Sequence, residues 1–108
     1  MIVILARFRM KDGKEDEALG AARAMAQAVR DGEPGCLAYI CHRSQAEPSE
    51  LVWYEVYADP AALTAHSGSE HMQAFRQRLP ELVDVTQIKI EMLERADGFV
   101  RDSLPQAT

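Results

Sequence analysis

Cysteine is scarce in this chain: two among 108 residues are too few for the disulfide framework that small secreted domains use in place of a large core. Cys36 and Cys41 stand five apart, so in one strand they are expected to point to opposite faces, and a bridge between them would strain the backbone. They read as two reduced, packed thiols, and neither has CxxC or zinc-site spacing. Basic residues are also in deficit, 12 Lys and Arg against 17 Asp and Glu for a net charge of -5. With no cationic cluster to offset this, nucleic acid and anionic membrane surfaces are poor partners. No apolar run approaches the ~20 residues of a membrane span. The start, Met1 to Met10, meets Arg7 and Arg9 without a basic leader or a cleavage site, so it does not read as a signal peptide. A soluble, cytoplasmic protein is the expectation.

What is present is an ordinary globular composition, 47% apolar and 27% charged, in a chain long enough for one domain that hides roughly 65% of its unfolded surface. Residues 2 to 10 read as a first strand. After the Asp12-Gly13 turn, Ala18, Leu19, Ala22, Met25, Ala26 and Val29 recur at helical spacing, with Glu15, Asp16 and Glu17 in the first turn. The breaker cluster Asp31 to Gly35 precedes a second strand, Cys36 to Arg43, and a polar connection leads to a third, Leu51 to Ala58, the two forming a hairpin. Asp59 followed by Pro60 is a helix start, because the carboxylate caps free amides and proline fits the first helical position. Two short helices are expected there, interrupted at Gly68 and Ser69, the second ending at Pro80. Residues 82 to 94 alternate and predict a fourth strand, with Ile88, Ile90 and Met92 on one face and Gln87, Lys89 and Glu91 on the other. The order βαββαβ predicts an α+β, ferredoxin-like domain over 1–95: a four-stranded antiparallel sheet with helices on one face, then a tail over 96–108.

Such a sheet leaves one face open, yet the third strand is apolar or aromatic on both parities. Something must cover it. Arg7, Arg9, Lys89 and Glu91 on the second parity suit a mixed interface, and the economical cover is a second copy of the chain.

Two stretches carry a family likeness: Glu33-Pro34-Gly35-Cys36-Leu37-x-Tyr39, and Glu55-x-Tyr57-x-Asp59-x-x-Ala62-Leu63-x-x-His66 followed by His71 and Phe75. Together they resemble the antibiotic biosynthesis monooxygenase family. The resemblance implies a dimeric α/β barrel, a pocket between sheet and helices in each subunit, and oxidation of quinols or polycyclic phenols by dioxygen without metal or flavin. The same family shape includes haem-degrading enzymes, an isomerase acting on a small phosphorylated dione, and members of unknown role. Haem-degrading members look to need an Asn on the first strand and a Trp about ten residues before the helical His. Ala6 with its neighbours and Val56 stand in those regions, which counts against haem.

Oxygenation of this kind needs a base, a substrate that becomes electron-rich and an apolar chamber. His66 is the first candidate base, since imidazole titrates near neutral pH; a surface or capping role is the plain alternative. Glu55 lies in an apolar strand on the parity of Trp53 and Tyr57. It reads as a base, as an orienter of the imidazole, or as a carboxylate paired with Arg7 or Lys89 across the dimer face, and its sheet face decides. His71, five residues past His66, shares no face with it on a continuous helix, so a two-His metal site is weak. It reads as a pocket or surface residue. Tyr39, Trp53, Tyr57 and Phe75 are candidates to stack on an aromatic substrate, or plain core. Arg76 is a candidate to bind an anionic group, or a solvated charge. The expectation is a homodimeric monooxygenase of a small aromatic substrate and dioxygen. The rivals are an isomerase of a small hydroxy-dicarbonyl that uses the same base with Arg76, and a non-catalytic ligand-binding dimer.

Overall fold

A computed structural model describes residues 1–101. The elements run β1 (Ile2–Arg9), α1 (Glu15–Gly32), β2 (Cys36–Arg43), β3 (Glu50–Tyr57), α2 (Pro60–Gly68), α3 (Glu70–Leu82) and β4 (Lys89–Leu93), with a short 3-10 turn at Val85–Gln87. The four strands form one antiparallel sheet in the order β2-β3-β1-β4. This is the ferredoxin-like α+β arrangement that the sequence predicts.

Register sorts the side chains. Ile4 stands opposite Glu55, Ala6 opposite Trp53 and Phe8 opposite Leu51, and directly opposed residues share a face. That inner face carries the core, where Ile4, Ala6, Phe8, Leu51, Trp53 and Tyr57 meet Ala18, Ala22, Met25 and Val29 of α1 and Phe75 and Leu82 of α3. The alanines of α1 leave little bulk between helix and sheet. The outer face carries Leu5, Arg7 and Arg9 beside Val52 and Tyr54, all half-buried in the single chain.

Asp59 caps α2 as its sequence predicts, its carboxylate accepting from the Ala62 amide at 2.9 Å with Pro60 in the first turn. The helical layer breaks at Ser69, which is extended at φ -67 and ψ 152. Its hydroxyl donates to the His66 carbonyl at 2.8 Å and accepts from the Met72 amide at 3.2 Å. One residue thereby closes α2 and opens α3.

Three details differ from the sequence-based expectation. α3 runs through Pro80 to Leu82: a proline so near a helix end forfeits few bonds, Leu82 is only 2% exposed, and Lys11 takes up the Pro80 and Leu82 carbonyls. β4 starts at Lys89 rather than 82, because the Asp84 carboxylate accepts from the Thr86 amide at 3.0 Å and winds the preceding residues into a turn. β2 carries a bulge between Cys36 and Ala38 that inserts Leu37 and shifts parity. Both thiols therefore pack against the inner core, not on opposite faces, and both are free.

On β4, Ile90 stands opposite Ala6 and Met92 opposite Ile4, so both belong to the inner face, yet they are 66% and 61% exposed. The helices do not cover that edge. The expected tail begins after it: residues 96–101 hold no helix or strand, and the rest of the tail lies outside the described residues.

Candidate functional site

The site is assembled where α1 ends. Glu33 caps that helix, its amide donating to the Val29 carbonyl at 2.9 Å, and the residue is buried at 8% exposure. Pro34 stops the helix and Gly35 starts β2's approach. A Cβ on Gly35 would lie 2.7 Å from the Ala62 Cβ, so only glycine lets α2 pack this close. The close approach brings His66, in the last turn of α2, over the carboxylate.

His66 is 4% exposed. Its Nδ1 lies 2.9 and 3.1 Å from Glu33 Oε1 and Oε2. An ionised carboxylate only accepts, so a hydrogen bond here requires the hydrogen on Nδ1. Nε2 has no hydrogen-bond partner among the described residues. The imidazole is flanked by the rings of Tyr39 and Tyr57, with centroids at 5.4 and 5.2 Å. The turn at Ser69 redirects the chain so that His71 arrives from the other side, its Nε2 also contacting Glu33 Oε2. The two imidazoles meet one carboxylate because the helix axis breaks between them. Among the described residues no group of three or more side chains is disposed to hold a metal ion.

Glu55 points to the inner face, away from Arg7, which bonds Glu50 at 3.2 Å, and it accepts from the Tyr57 hydroxyl at 2.6 Å. Of the three readings its sequence leaves open, pairing with Arg7 or Lys89 on the outer face is overturned by this register. Desolvation pushes the Glu55 carboxyl above the usual range, partly offset by the Tyr57 hydrogen bond and by His66. Desolvation likewise raises the phenols of Tyr39 and Tyr57, the latter further through its bond to Glu55. Tyr39 packs on Trp53 at 4.7 Å between centroids, and the buried Trp53 Nε1 has no hydrogen-bond partner among the described residues.

Six of the eight residues singled out in the sequence thus converge: Tyr39, Trp53, Glu55, Tyr57, His66 and His71. Phe75 stands apart, packed on Phe8 at 6.4 Å. Arg76 is exposed on α3, where its Nη2 donates to the Ser67 carbonyl at 2.7 Å. Glu33 is the residue sequence reasoning missed as a participant. Its signal was an acidic residue at a helix C-terminus, where the macrodipole disfavours negative charge.

The interior void between sheet and helices, where the family resemblance implies a pocket, does not reach the imidazole. Lined by Phe8, Leu51, Trp53, Phe75 and Leu82 among others, it is apolar and holds about 10 Å³, room for one water. Neither His66 nor Glu55 lines it. The uncovered part of the inner face lies at β4, where Ile90 and Met92 are 66% and 61% exposed; Met92 ends a row that runs Tyr39, Glu55, Ile4, Met92 across the sheet.

Comparison with known proteins gives a consistent picture. A family model described as antibiotic biosynthesis monooxygenase matches residues 1–78, a span that contains the whole cluster. A Bacillus subtilis protein named putative monooxygenase YcnE is 31% identical over 83 residues, covering 77% of this chain and 86% of that one. An uncharacterised Synechocystis protein, sll1783, is 26% identical over 82 residues; the match takes in 76% of this chain and only 55% of that protein's length. Among solved structures, a putative antibiotic biosynthesis monooxygenase from Caulobacter crescentus superposes with a TM-score of 0.82 at 27% identity, over 89% of this chain and 90% of that one.

Proposed function

The chain belongs to the antibiotic biosynthesis monooxygenase family, whose model matches residues 1–78, and from that premise we propose that it is a cofactor-independent monooxygenase that oxidises a quinol or polycyclic phenol with dioxygen. The observation that carries this reading is the buried His66 whose Nδ1 is held by Glu33 while Nε2 has no partner among the described residues. Nε2 takes the phenolic proton. The resulting anion gives one electron to dioxygen, and the radical pair joins at a ring carbon that carries two hydrogens in the keto form. The hydroperoxide then loses water to leave a carbonyl, so one oxygen atom enters the product and the other leaves as water, with every electron supplied by the substrate. Tyr39 and Tyr57 pack against the imidazole, with centroids at 5.4 and 5.2 Å, and hold its ring in place. The Glu55 carboxyl, whose proton affinity burial raises, lies beside Tyr57 as a second acid–base group.

The isomerase reading loses its support, because Arg76 is turned to the Ser67 carbonyl and the described residues gathered round His66 bring two carboxyl groups and no Lys or Arg. A neutral substrate suits that charge; a phosphorylated one does not. The substrate enters from the uncovered inner edge at Ile90 and Met92, about 10 Å from Glu55 across two strand spacings.

The domain spans 1–95, with 96–108 as a tail, and works as a homodimer closed over the outer sheet face. Leu5, Val52 and Tyr54 give that face its apolar surface, and Arg7 and Arg9, paired with Glu50 and Glu47 at 3.2 and 3.6 Å, give it a charged margin.

Oxygen uptake by metal-stripped protein against a panel of quinols tests the reaction. The expected result is turnover that falls by about 10²- to 10⁴-fold in His66→Ala. Quinols that bind without uptake above the buffer rate would leave only a ligand-binding dimer.

A further inference from the structure

A neutral imidazole is a base at one nitrogen only, and which one depends on where its single hydrogen sits. Histidine free in water prefers to carry that hydrogen on Nε2. At position 66 this is the atom that has no hydrogen-bond partner among the described residues, so an unconstrained ring would present the wrong tautomer to a substrate proton. The Glu33 carboxylate lies 2.9 and 3.1 Å from Nδ1, with both groups nearly buried, the side chains 5% and 6% exposed.

We propose that Glu33 is the positioning residue that makes His66 a base: it fixes the hydrogen on Nδ1 and leaves the Nε2 lone pair free, on a ring flanked by Tyr39 and Tyr57, while His71 holds the same carboxylate from the solvent side. The proposal rests on His66 being the base. Three placements support it. Glu33 caps α1 at the end where the helix dipole opposes its charge, so the helix gains nothing from a carboxylate there. Its two partners come from 33 and 38 residues further along the chain, brought in by the close contact at Gly35 and the break at Ser69. His71, 26% exposed, closes the cluster toward water and prevents the carboxylate from swinging away from Nδ1. Glu55, the other buried carboxyl in the cluster, bonds Tyr57 instead and leaves Glu33 as the orienter.

The test is the two-bond proton–nitrogen correlation spectrum of the uniformly nitrogen-15-labelled full chain, which reports the tautomer of each histidine without any substrate. The wild type is expected to show His66 with hydrogen on Nδ1 while the ring is neutral. In Glu33→Gln, whose amide both donates and accepts, the ring is expected to shift to a mixture or to the Nε2–H form, and in any quinol assay kcat is expected to fall about tenfold or more with KM little changed. An Nε2–H ring at position 66 in the wild type, or an unchanged Nδ1–H ring in folded Glu33→Gln, overturns the proposal. Should Glu33→Gln fail to fold, the wild-type tautomer decides alone. A panel without turnover, beside the expected spectra, would remove the oxygenase reading and leave the positioning of His66 intact.

Discussion

Tyr57 donates its hydroxyl to Glu55 Oε1 at 2.6 Å, two residues back along the same strand and on the same inner face of the sheet. Period-two geometry makes such pairs possible, but it also drives a carboxyl into a core where Glu55 is 8% and Tyr57 0% exposed. Desolvation wins over the hydrogen bond and over His66, so the folded-state affinity of Glu55 for a proton is raised.

The sign of the resulting pH dependence follows. A carboxyl that binds its proton more tightly in the folded than in the unfolded chain costs stability as pH rises from the ordinary carboxylate range through the raised value. Glu55→Gln removes that cost and keeps an oxygen for the Tyr57 hydroxyl. Urea unfolding of both proteins at pH 4 and at pH 8 is expected to show the variant gaining on the wild type as pH increases. Parallel pH profiles would mean that the carboxyl is not raised.

Gly35→Ala tests the close approach that assembles the cluster. The added methyl would lie 2.7 Å from the Ala62 Cβ, and overpacking of this kind costs about 1–3 kcal/mol. The relief must come from α2 moving off β2, which carries His66 away from Glu33. A lower urea midpoint and a lost Nδ1–H signal at His66 are expected together. The double variant Gly35→Ala with Ala62→Gly should recover part of the stability, less about 1 kcal/mol for glycine inside a helix.

The thiols supply a chemical check on the β2 bulge. Because the bulge turns Cys36 and Cys41 alike toward the core, desolvation pushes their pKa values up to about 11 and about 12. At pH 8 roughly one Cys36 in a thousand is then thiolate, far less than for a free cysteine. Iodoacetamide is expected to label the native chain more than tenfold slower than the urea-unfolded chain. Similar rates would place the thiols at the surface.

Much of the fold was legible because local chemistry and global pattern agree: the Asp59-Pro60 start, the alanine-rich stripe of α1 and the bulky run of β3 each have one natural reading. β4 is shorter than its alternation implies, because side-chain alternation from 82 onward cannot reveal that Asp84 caps a turn. The bulge at Leu37 leaves no mark in a strand of mixed residues, so spacing alone sends the cysteines to opposite faces. The site was legible as a set of residue types but not as a geometry. The face of Glu55 was hidden because β3 is apolar on both parities, and register against β1 decided it. The bond from Glu33 to His66 depends on a Cβ-free contact between β2 and α2, a property of packing and not of spacing. Arg76 looked useful beside Phe75 only until α3 turned it outward.

The outer sheet face yields the last prediction. Ile40, Tyr54, Leu5 and Glu91 form one row across β2, β3, β1 and β4, with Tyr54 near its middle and half-buried in the single chain. If a second copy covers this row, Tyr54 becomes a desolvated contact near the two-fold axis, where each substitution is met by its own copy. Tyr54→Glu then places two carboxylates in an apolar seam and should split the dimer. In the separated chain the new carboxylate stays in water and the inner core is untouched, so the far-ultraviolet spectrum should be retained. Gln73→Glu on the exposed side of α3 serves as the control and should leave the assembly alone. Sedimentation at tens of micromolar is the measurement. A wild-type monomer, or a Tyr54→Glu protein that still sediments as a dimer, would mean that this face is not where two copies meet.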